Sequence, residues 1–459
     1  MSLKGLFETN FSRRGNVNAA WRIVLPILTL FLMPIQSAQA GLVLNFAKQV
    51  TVTNSNEKDA PPKVTVSTIQ VELGTDYFRN TENDTDRVYN FKSRRILTID
   101  TKKKTYHDDS LFIDLGFRGR EFQNRQHLGK ALASASVDNK LMSTTLNEHN
   151  LSLKAKNHEP EIQKGSNDKA VTYHWEDKAL FEYSKKLHKV NKTYQDGLTR
   201  FLRYHISGHP NILEDIQELS GIPEKITVTT HNVEKRSVTL RLLSSKQIPD
   251  MLPTLEGYSK SKDAGELSAL LTKDINYTKE DLKIVATSLL VKAKKAYEEK
   301  RQLDAMLAYL EYTLVTGEKM PSQFFPQREL IAADADVKTL VSSLSPKTKE
   351  EAKKSIDTLV SLREKSTDRK HVLKIFEANN RLILGKAQES KALFHAVLGV
   401  NPYITGAWKD LGDIYFRSYN SQAAWRCWDT ARALNGSHHL LVRIKQFEER
   451  LIKINPEFF

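Results

Sequence analysis

The chain has 459 residues, of which 40% are hydrophobic and 27% are charged. Its 19 glycines and 14 prolines are too few for a collagen-like repeat, and the hydrophobic content excludes a wholly disordered chain. The 69 basic and 55 acidic side chains give a formal net charge of +14. We therefore expect a folded, basic protein with two or three domains.

Residues 1–40 have the pattern of a cleavable export signal. A basic stretch ending at Arg22 precedes an apolar run over residues 23–35, and the small residues Ala38 and Ala40 match a signal-peptidase site. This run rises only about 20 Å as a helix, less than the roughly 30 Å of a hydrocarbon core. We predict cleavage after Ala40 and a periplasmic or secreted protein, with an uncleaved amphipathic anchor as the alternative.

Cysteine content indicates the compartment more closely. Cys427 is the only cysteine, so no intramolecular disulfide can form, which favours a bacterial periplasm over an animal secretory pathway. Its neighbours Trp425 and Trp428 favour a packed thiol over a nucleophile. After the leader, no apolar stretch reaches about 18 residues, so we do not expect an integral membrane protein.

Residues 41–258 predict an antiparallel β-rich domain, because several segments alternate at period two. Two hairpins are predicted, from residues 95–100 with 105–107 and from residues 226–230 with 238–242. Helical insertions are predicted near residues 122–132, 194–205 and 210–219. We interpret the polar passage over residues 147–169 as a long loop with one edge strand.

Residues 259–276 are polar and are interpreted as a linker, after which the pattern becomes almost purely helical. Apolar stripes at helical spacing, separated by short polar breaks, predict antiparallel helix pairs over residues 277–459. The predicted fold class is therefore α+β, with the β-rich domain and its helical insertions followed by an α-helical solenoid.

The most specific motif runs from Trp408 to Tyr415. It resembles the W-x2-L-G-x2-Y opening of a tetratricopeptide repeat, and one repeat earlier a second copy lacks the tryptophan. Gly436 departs from the family, which usually has proline there. Ten residues carry the resemblance: Trp408, Leu411, Gly412, Tyr415, Ala424, Trp428, Ala431, Gly385, Phe394 and Pro402. The resemblance implies stacked helix pairs, strongest over residues 371–436.

Stacked pairs of this family form a concave surface that holds a peptide or partner protein. The resemblance carries the groove positions onto Ile375, Asn379, Leu382, Lys409, Asp413 and Arg417. It implies an exported adaptor that mediates protein–protein interaction in the bacterial cell envelope. The alternative is that these side chains pack against the β-rich domain of the same chain.

The order of strands and helices in the β-rich region resembles periplasmic half-barrels of the lipoprotein-carrier type. That resemblance implies a curved sheet closed by helices around an apolar cavity, and hence a periplasmic carrier or chaperone for a lipid. Candidate wall residues are Tyr89, Phe91, Ile96 and Tyr106. Ordinary core packing is the alternative for all four.

Motifs for catalysis, zinc binding and phosphate binding are absent from the sequence, so we expect neither an enzyme nor a cofactor or metal. The alternative is an enzyme whose active site is built from residues distant in sequence. His205 and His209 are four residues apart, but a glycine and a proline interrupt the helix that would align them. The basic runs at residues 92–95 and 102–104 are typical of a solvated surface, with an anionic lipid or envelope polymer as alternative partner. Nucleic acid is not expected, because no aromatic residues interleave with the charges.

Overall fold

The computed structural model describes residues 40–54, 61–137, 140–262, 264–271, 278–319, 321 and 328–459. Of the predicted export signal at residues 1–40, residues 1–39 lie outside them. Ala40–Phe459 forms one compact unit. Its architecture is α+β, as predicted, with a large antiparallel sheet in the N-terminal half and a series of helices in the C-terminal half.

The strands are β1 (Ala40–Asn54), β2 (Lys63–Leu73), β3 (Tyr77–Glu82), β4 (Thr85–Asn90), β5 (Arg95–Asp100), β6 (Thr105–Ser110), β7 (Gln163–Ser166), β8 (Ala170–Trp175), β9 (Lys178–Ser184), β10 (Leu187–Lys189), β11 (Gly221–Pro223), β12 (Lys225–His231), β13 (Glu234–Pro249) and β14 (Ser259–Lys260). The main sheet has the order β14-β6-β5-β4-β3-β2-β1-β13-β12-β9-β8-β7. Adjacent strands of this sheet run antiparallel, except that β14 runs parallel to β6.

The helices are α1 (Phe112–Ser134), α2 (Thr144–Leu151), α3 (Lys192–Phe201), α4 (Pro210–Gln217), α5 (Ser268–Leu271), α6 (Lys279–Glu298), α7 (Gln302–Thr316), α8 (Arg328–Ala333), α9 (Ala335–Ser343), α10 (Lys349–Lys365), α11 (Lys370–Ile383), α12 (Ala387–Val400), α13 (Thr405–Arg417), α14 (Ser421–Asn435) and α15 (Val442–Ile454). A π-helical turn, Leu202–Ile206, continues α3. Among the described residues, no helix combines the length and apolar character needed to cross a membrane.

One face of the sheet carries the core of the N-terminal half. Phe46 of β1 lies between Ile69 of β2 and Leu242 of β13, and Phe46 and Ile69 are 0% and 1% exposed. Apolar side chains of α1 to α4 join the same core. The two predicted hairpins are confirmed, since β5 pairs with β6 and β12 pairs with β13. Both pairs are antiparallel because connections this short allow no parallel crossover.

The polar passage at residues 147–169 is only partly a loop. It contains the predicted edge strand, β7, but it begins inside α2, which the sequence pattern did not indicate. Asn150 on α2 donates to the carbonyl of His231 at 2.7 Å and accepts from its N–H at 3.1 Å. The side-chain amide of Asn150 therefore satisfies the backbone N–H and carbonyl of His231 at the end of β12, beyond the residues that pair with β9.

Helix α7 organises the C-terminal half. It packs against α9, α11 and α13, beside the hairpins α9–α10, α11–α12 and α13–α14. The carboxylate of Asp304 accepts hydrogen bonds from Ser366 and from the N–H of Asp368, which lie in the turn before α11. Further along α7, the carbonyl of Val315 accepts from Thr405 at the start of α13. α7 thus lies across successive turns between hairpins.

The two halves meet through both apolar and ionic contacts. Trp425 on α14 lies so close to Gly116 on α1 that a Cβ at Gly116 would be 2.2 Å from the indole ring. Nearby, Arg426 pairs with Asp109 of β6 at 2.8 Å. Part of the segment interpreted as a linker is also packed, since Leu267 and Leu270 are buried.

Candidate functional site

The motif at residues 408–415 builds a tight contact between α13 and α14. A Cβ at Gly412 would lie 2.4 Å from Trp428 and 3.1 Å from the carbonyl of Ala424, so only glycine allows this approach. Trp408 donates its indole N–H to the carbonyl of Pro402 at 2.8 Å. The buried residues of the motif are Trp408, Leu411, Gly412, Tyr415, Ala424, Trp428, Ala431 and Phe394. Gly385, at the end of α11, adopts a left-handed φ of 79°.

The structure brings three of the six predicted groove residues together. Lys409 on α13 pairs with Asp413 at 2.8 Å and with its neighbour Asp410 at 3.2 Å. Asn379 on α11 donates to Asp410 at 3.2 Å. We call Asn379, Lys409, Asp410 and Asp413 the α11–α13 polar cluster. It joins two helices that belong to different hairpins.

Burial and charge act in opposite directions within this cluster. Burial alone lowers the pKa of Lys409, but the carboxylates of Asp410 and Asp413 outweigh it and raise the pKa above its ordinary value. Burial raises the pKa of Asp410, and Lys409 and Asn379 offset this only in part. The side chain of Asp410 nevertheless keeps 23% of its surface exposed, so its carboxylate is accessible to a ligand group that donates a hydrogen bond.

The other three groove residues occupy different surroundings. Arg417 is exposed at the end of α13, and its carbonyl accepts a hydrogen bond from Arg120 of α1. Leu382 is half-buried on α11. Ile375 is only 1% exposed and belongs to the core, so it presents no surface to a partner.

The four candidate wall residues of the sheet do not form one surface. Tyr89 and Phe91 pack around Phe78 and Tyr204, with the ring centroids of Phe78 and Tyr89 4.4 Å apart. Ile96 pairs with Tyr89 and shares its face.

Tyr106 lies on the opposite face, because it pairs with Ile99, which has the other parity along β5. There it packs with Val88 and Tyr258. Tyr89 and Phe91 thus pack as core residues, and the wall expected from the carrier resemblance is not assembled.

His205 and His209 also take separate places. His205 lies 4.0 Å from Glu82, and burial lowers its pKa to about 4. His209 donates to the buried carboxylate of Glu148 at 3.1 Å, while its Nδ1 accepts from the N–H of Asn211. Among the described residues, no cluster of three or more His, Cys, Asp or Glu side chains could hold a metal ion. Cys427 is fully buried, which raises the pKa of its thiol.

Two residues of interest were missed from the sequence. Asp410 lies beside a predicted groove residue, but the family's groove spacing does not include it. Glu311 on α7 is 1% exposed and pairs with Arg369 and His371, although an acid on a helix usually indicates a solvated face. No family model matches this chain, and no curated protein matches it.

Proposed function

We propose that this chain is an exported, non-enzymatic binding protein of the bacterial cell envelope that holds a partner polypeptide on the surface of α11 and α13. In this proposal residues 1–40 are the export signal, residues 41–258 are a β-rich domain, residues 259–276 connect, and residues 277–459 form a tetratricopeptide-type solenoid. The close approach at Gly412 supports the last assignment.

The observation that carries the proposal is the α11–α13 polar cluster. Its four side chains are partly exposed and are held by each other across two helices, so their positions are fixed before a ligand arrives. Preorganised polar groups beside apolar surface are typical of binding sites, because little conformational entropy is lost on binding. Half-buried Leu382 on α11 supplies apolar surface, whereas the ring of Phe416 on α13 packs against Trp425, Trp428 and Phe447.

Arg417 adds an exposed cation at one end of this surface. We infer that a bound segment places a donor against Asp410 and an acidic group against Arg417. The partner would therefore be an extended or helical polypeptide with a polar centre and one acidic end. Interaction through a few fixed groups on a rigid helix surface is the usual mode of such grooves.

The test compares two variants with one control in the full chain from residue 41. Arg417→Glu reverses an exposed charge, and Lys409→Gln removes the cation of the cluster while keeping a long polar side chain. The control, Lys353→Glu with Lys354→Glu, reverses two exposed charges on α10. Each immobilised protein is used to capture partners from envelope extracts, with quantification by mass spectrometry.

We expect one polypeptide to be recovered equally by the wild type and the α10 control and to fall at least tenfold with both site variants. Thermal unfolding of each variant confirms that it is folded. Equal recovery by all four proteins would place the binding surface elsewhere. Recovery of no specific polypeptide by folded wild-type protein would contradict the proposed function.

A further inference from the structure

A second site lies where the sheet meets the helical half. A cavity of about 500 Å³ opens between β5, β6 and the residues around β14 on one side and α5 and α14 on the other. Cavities of this size at the junction of two packed regions are common places for small ligands. None of the groove or wall residues predicted from the sequence lines it.

The acidic groups of the cavity already have cationic partners. Asp109 accepts from Arg426 at 2.8 Å, and Asp429 accepts from Arg95 and from Arg432. Arg95 also holds Asp108 at 2.7 Å. These carboxylates are therefore neutralised within the protein and do not need a bound cation.

Several donors at the cavity lack an acceptor. Arg426 uses Nε and Nη2 for Asp109 and His107, but its Nη1 has no hydrogen-bond partner among the described residues, although the side chain is only 15% exposed. His107 accepts from Arg426 through Nδ1, so its proton lies on Nε2, which has no acceptor in the described part of the chain.

Lys260 adds a third donor and a net charge. Its ammonium group has no ion pair with any described residue. The acidic residues of the lining are Asp108, Asp109 and Asp429. Because they are engaged by Arg95, Arg426 and Arg432, they do not offset the positive charge of Lys260.

We propose that this cavity binds a small organic anion, whose acidic group accepts hydrogen bonds from Arg426 Nη1, His107 Nε2–H and Lys260. The side chains of Leu271 and Ala264 in the same lining would contact the apolar part of the ligand. A phosphate ester and a carboxylate both supply this chemistry. Since the donors come from both halves, the bound anion would hold the sheet and α14 together.

The experiment uses isothermal titration calorimetry on the full chain from residue 41. The probes are glycerol 3-phosphate and succinate, at constant ionic strength, with sodium chloride as the blank. The variants are Lys260→Glu and His107→Phe, which change the cavity without removing the Arg426–Asp109 pair. The control is Lys246→Glu, on an exposed position of β13 that does not line the cavity.

We expect saturable binding of at least one probe and a dissociation constant at least tenfold weaker in both cavity variants, with the control unchanged. Preference for one probe identifies the anion as a phosphate ester or as a carboxylate. Absence of saturable binding to wild-type protein would overturn the proposal. Equal affinity in the wild type and both cavity variants would also overturn it, since the anion would then bind elsewhere.

Discussion

The two halves of the molecule stabilise buried carboxylates in different ways. In the sheet half, Glu148 is 0% exposed and accepts from the N–H of Ala155 at 2.7 Å, from His158 at 2.8 Å and from His209 at 3.1 Å. In the helical half, Glu311 accepts from Arg369, from His371 at 2.8 Å and from Asn401 at 2.6 Å. Glu148 is held by two histidines and a backbone N–H, whereas Glu311 is held by an arginine, a histidine and a side-chain amide.

This difference follows from how each half is connected. Two of the three donors to Glu148, Ala155 and His158, lie in the loop directly after α2, so this carboxylate is satisfied largely by residues near it in the sequence. The helical half consists of local hairpins, and α7 must be attached to turns that are far away in sequence. Glu311 makes that attachment through Arg369 and Asn401, which lie on two different turns. We therefore expect the helical half to depend more strongly on one ionic group.

Glu311→Ala gives the largest expected effect. It leaves Arg369, whose side chain is 6% exposed, with Asp368 at 3.8 Å as its only ionic partner among the described residues, and breaking a buried pair costs about 3 to 5 kcal/mol. The measurement is the free energy of unfolding from urea denaturation. Glu389→Ala is the control, because Glu389 pairs with Arg381 at the surface. A loss no greater than that of the control would mean that Glu311 does not attach α7.

Low pH should destabilise the protein because it protonates Glu311. Its charged partners lower the pKa of Glu311 from 4.5 to about 2 although burial opposes this. Between these values the unfolded state binds more protons, so the stabilisation is complete above pH 4.5 and is lost as the pH falls towards 2. The expected loss is about 3 kcal/mol. Glu311→Gln should remove this part of the pH dependence, and an unchanged profile would contradict the assignment.

Two glycines of α1 test the contact between the halves. Gly116→Ala places a Cβ 2.2 Å from Trp425, whereas a Cβ at Gly119 meets nothing within 4 Å. We expect Gly116→Ala to cost about 2 kcal/mol because Trp425 must move. The matched variant Gly119→Ala should stabilise the helix by about 0.5 to 1 kcal/mol. The same sign for both substitutions in urea denaturation would show that α14 does not pack on α1 as described.

The smallest expected effect concerns the hydrogen bonds between α2 and the end of β12. Asn150→Leu removes both hydrogen bonds to His231 and should cost about 1 kcal/mol. Hydrogen exchange should show faster exchange at the amide of His231, with little change at Val228, where β12 pairs with both β9 and β13. Equal acceleration at both amides would mean that α2 stabilises the whole strand and not only its end.

The sequence predicts helices and strands better than it predicts which partners their buried polar groups find. The hairpins β5–β6 and β12–β13 were predicted because alternation and a short connection are both local signals. α2 was missed because its buried face carries Asn147, Glu148 and His149, which hide the apolar period. Their burial depends on partners that are distant in sequence, such as His209 and Thr229.

The candidate site shows the same difference between contacts that are local in sequence and contacts that are distant. The resemblance to the repeat family carried groove positions onto Lys409 and Asp413, and the structure pairs these two side chains. The resemblance could not show that Asp410 turns towards Asn379 of another hairpin, because that contact depends on the angle between α11 and α13. Parity within one strand was likewise insufficient for Tyr106, whose face depends on the register between β5 and β6.

Site-specific photo-crosslinking tests the proposed binding surface most directly. A photoreactive phenylalanine replaces Ser418, the exposed neighbour of Arg417 at the end of α13, or Lys353 on α10 as the control, in the intact protein expressed in bacteria. We predict that position 418 gives a single crosslinked polypeptide, that position 353 does not, and that Lys409→Gln weakens the band. The same band from both positions, or none from position 418, would contradict the account.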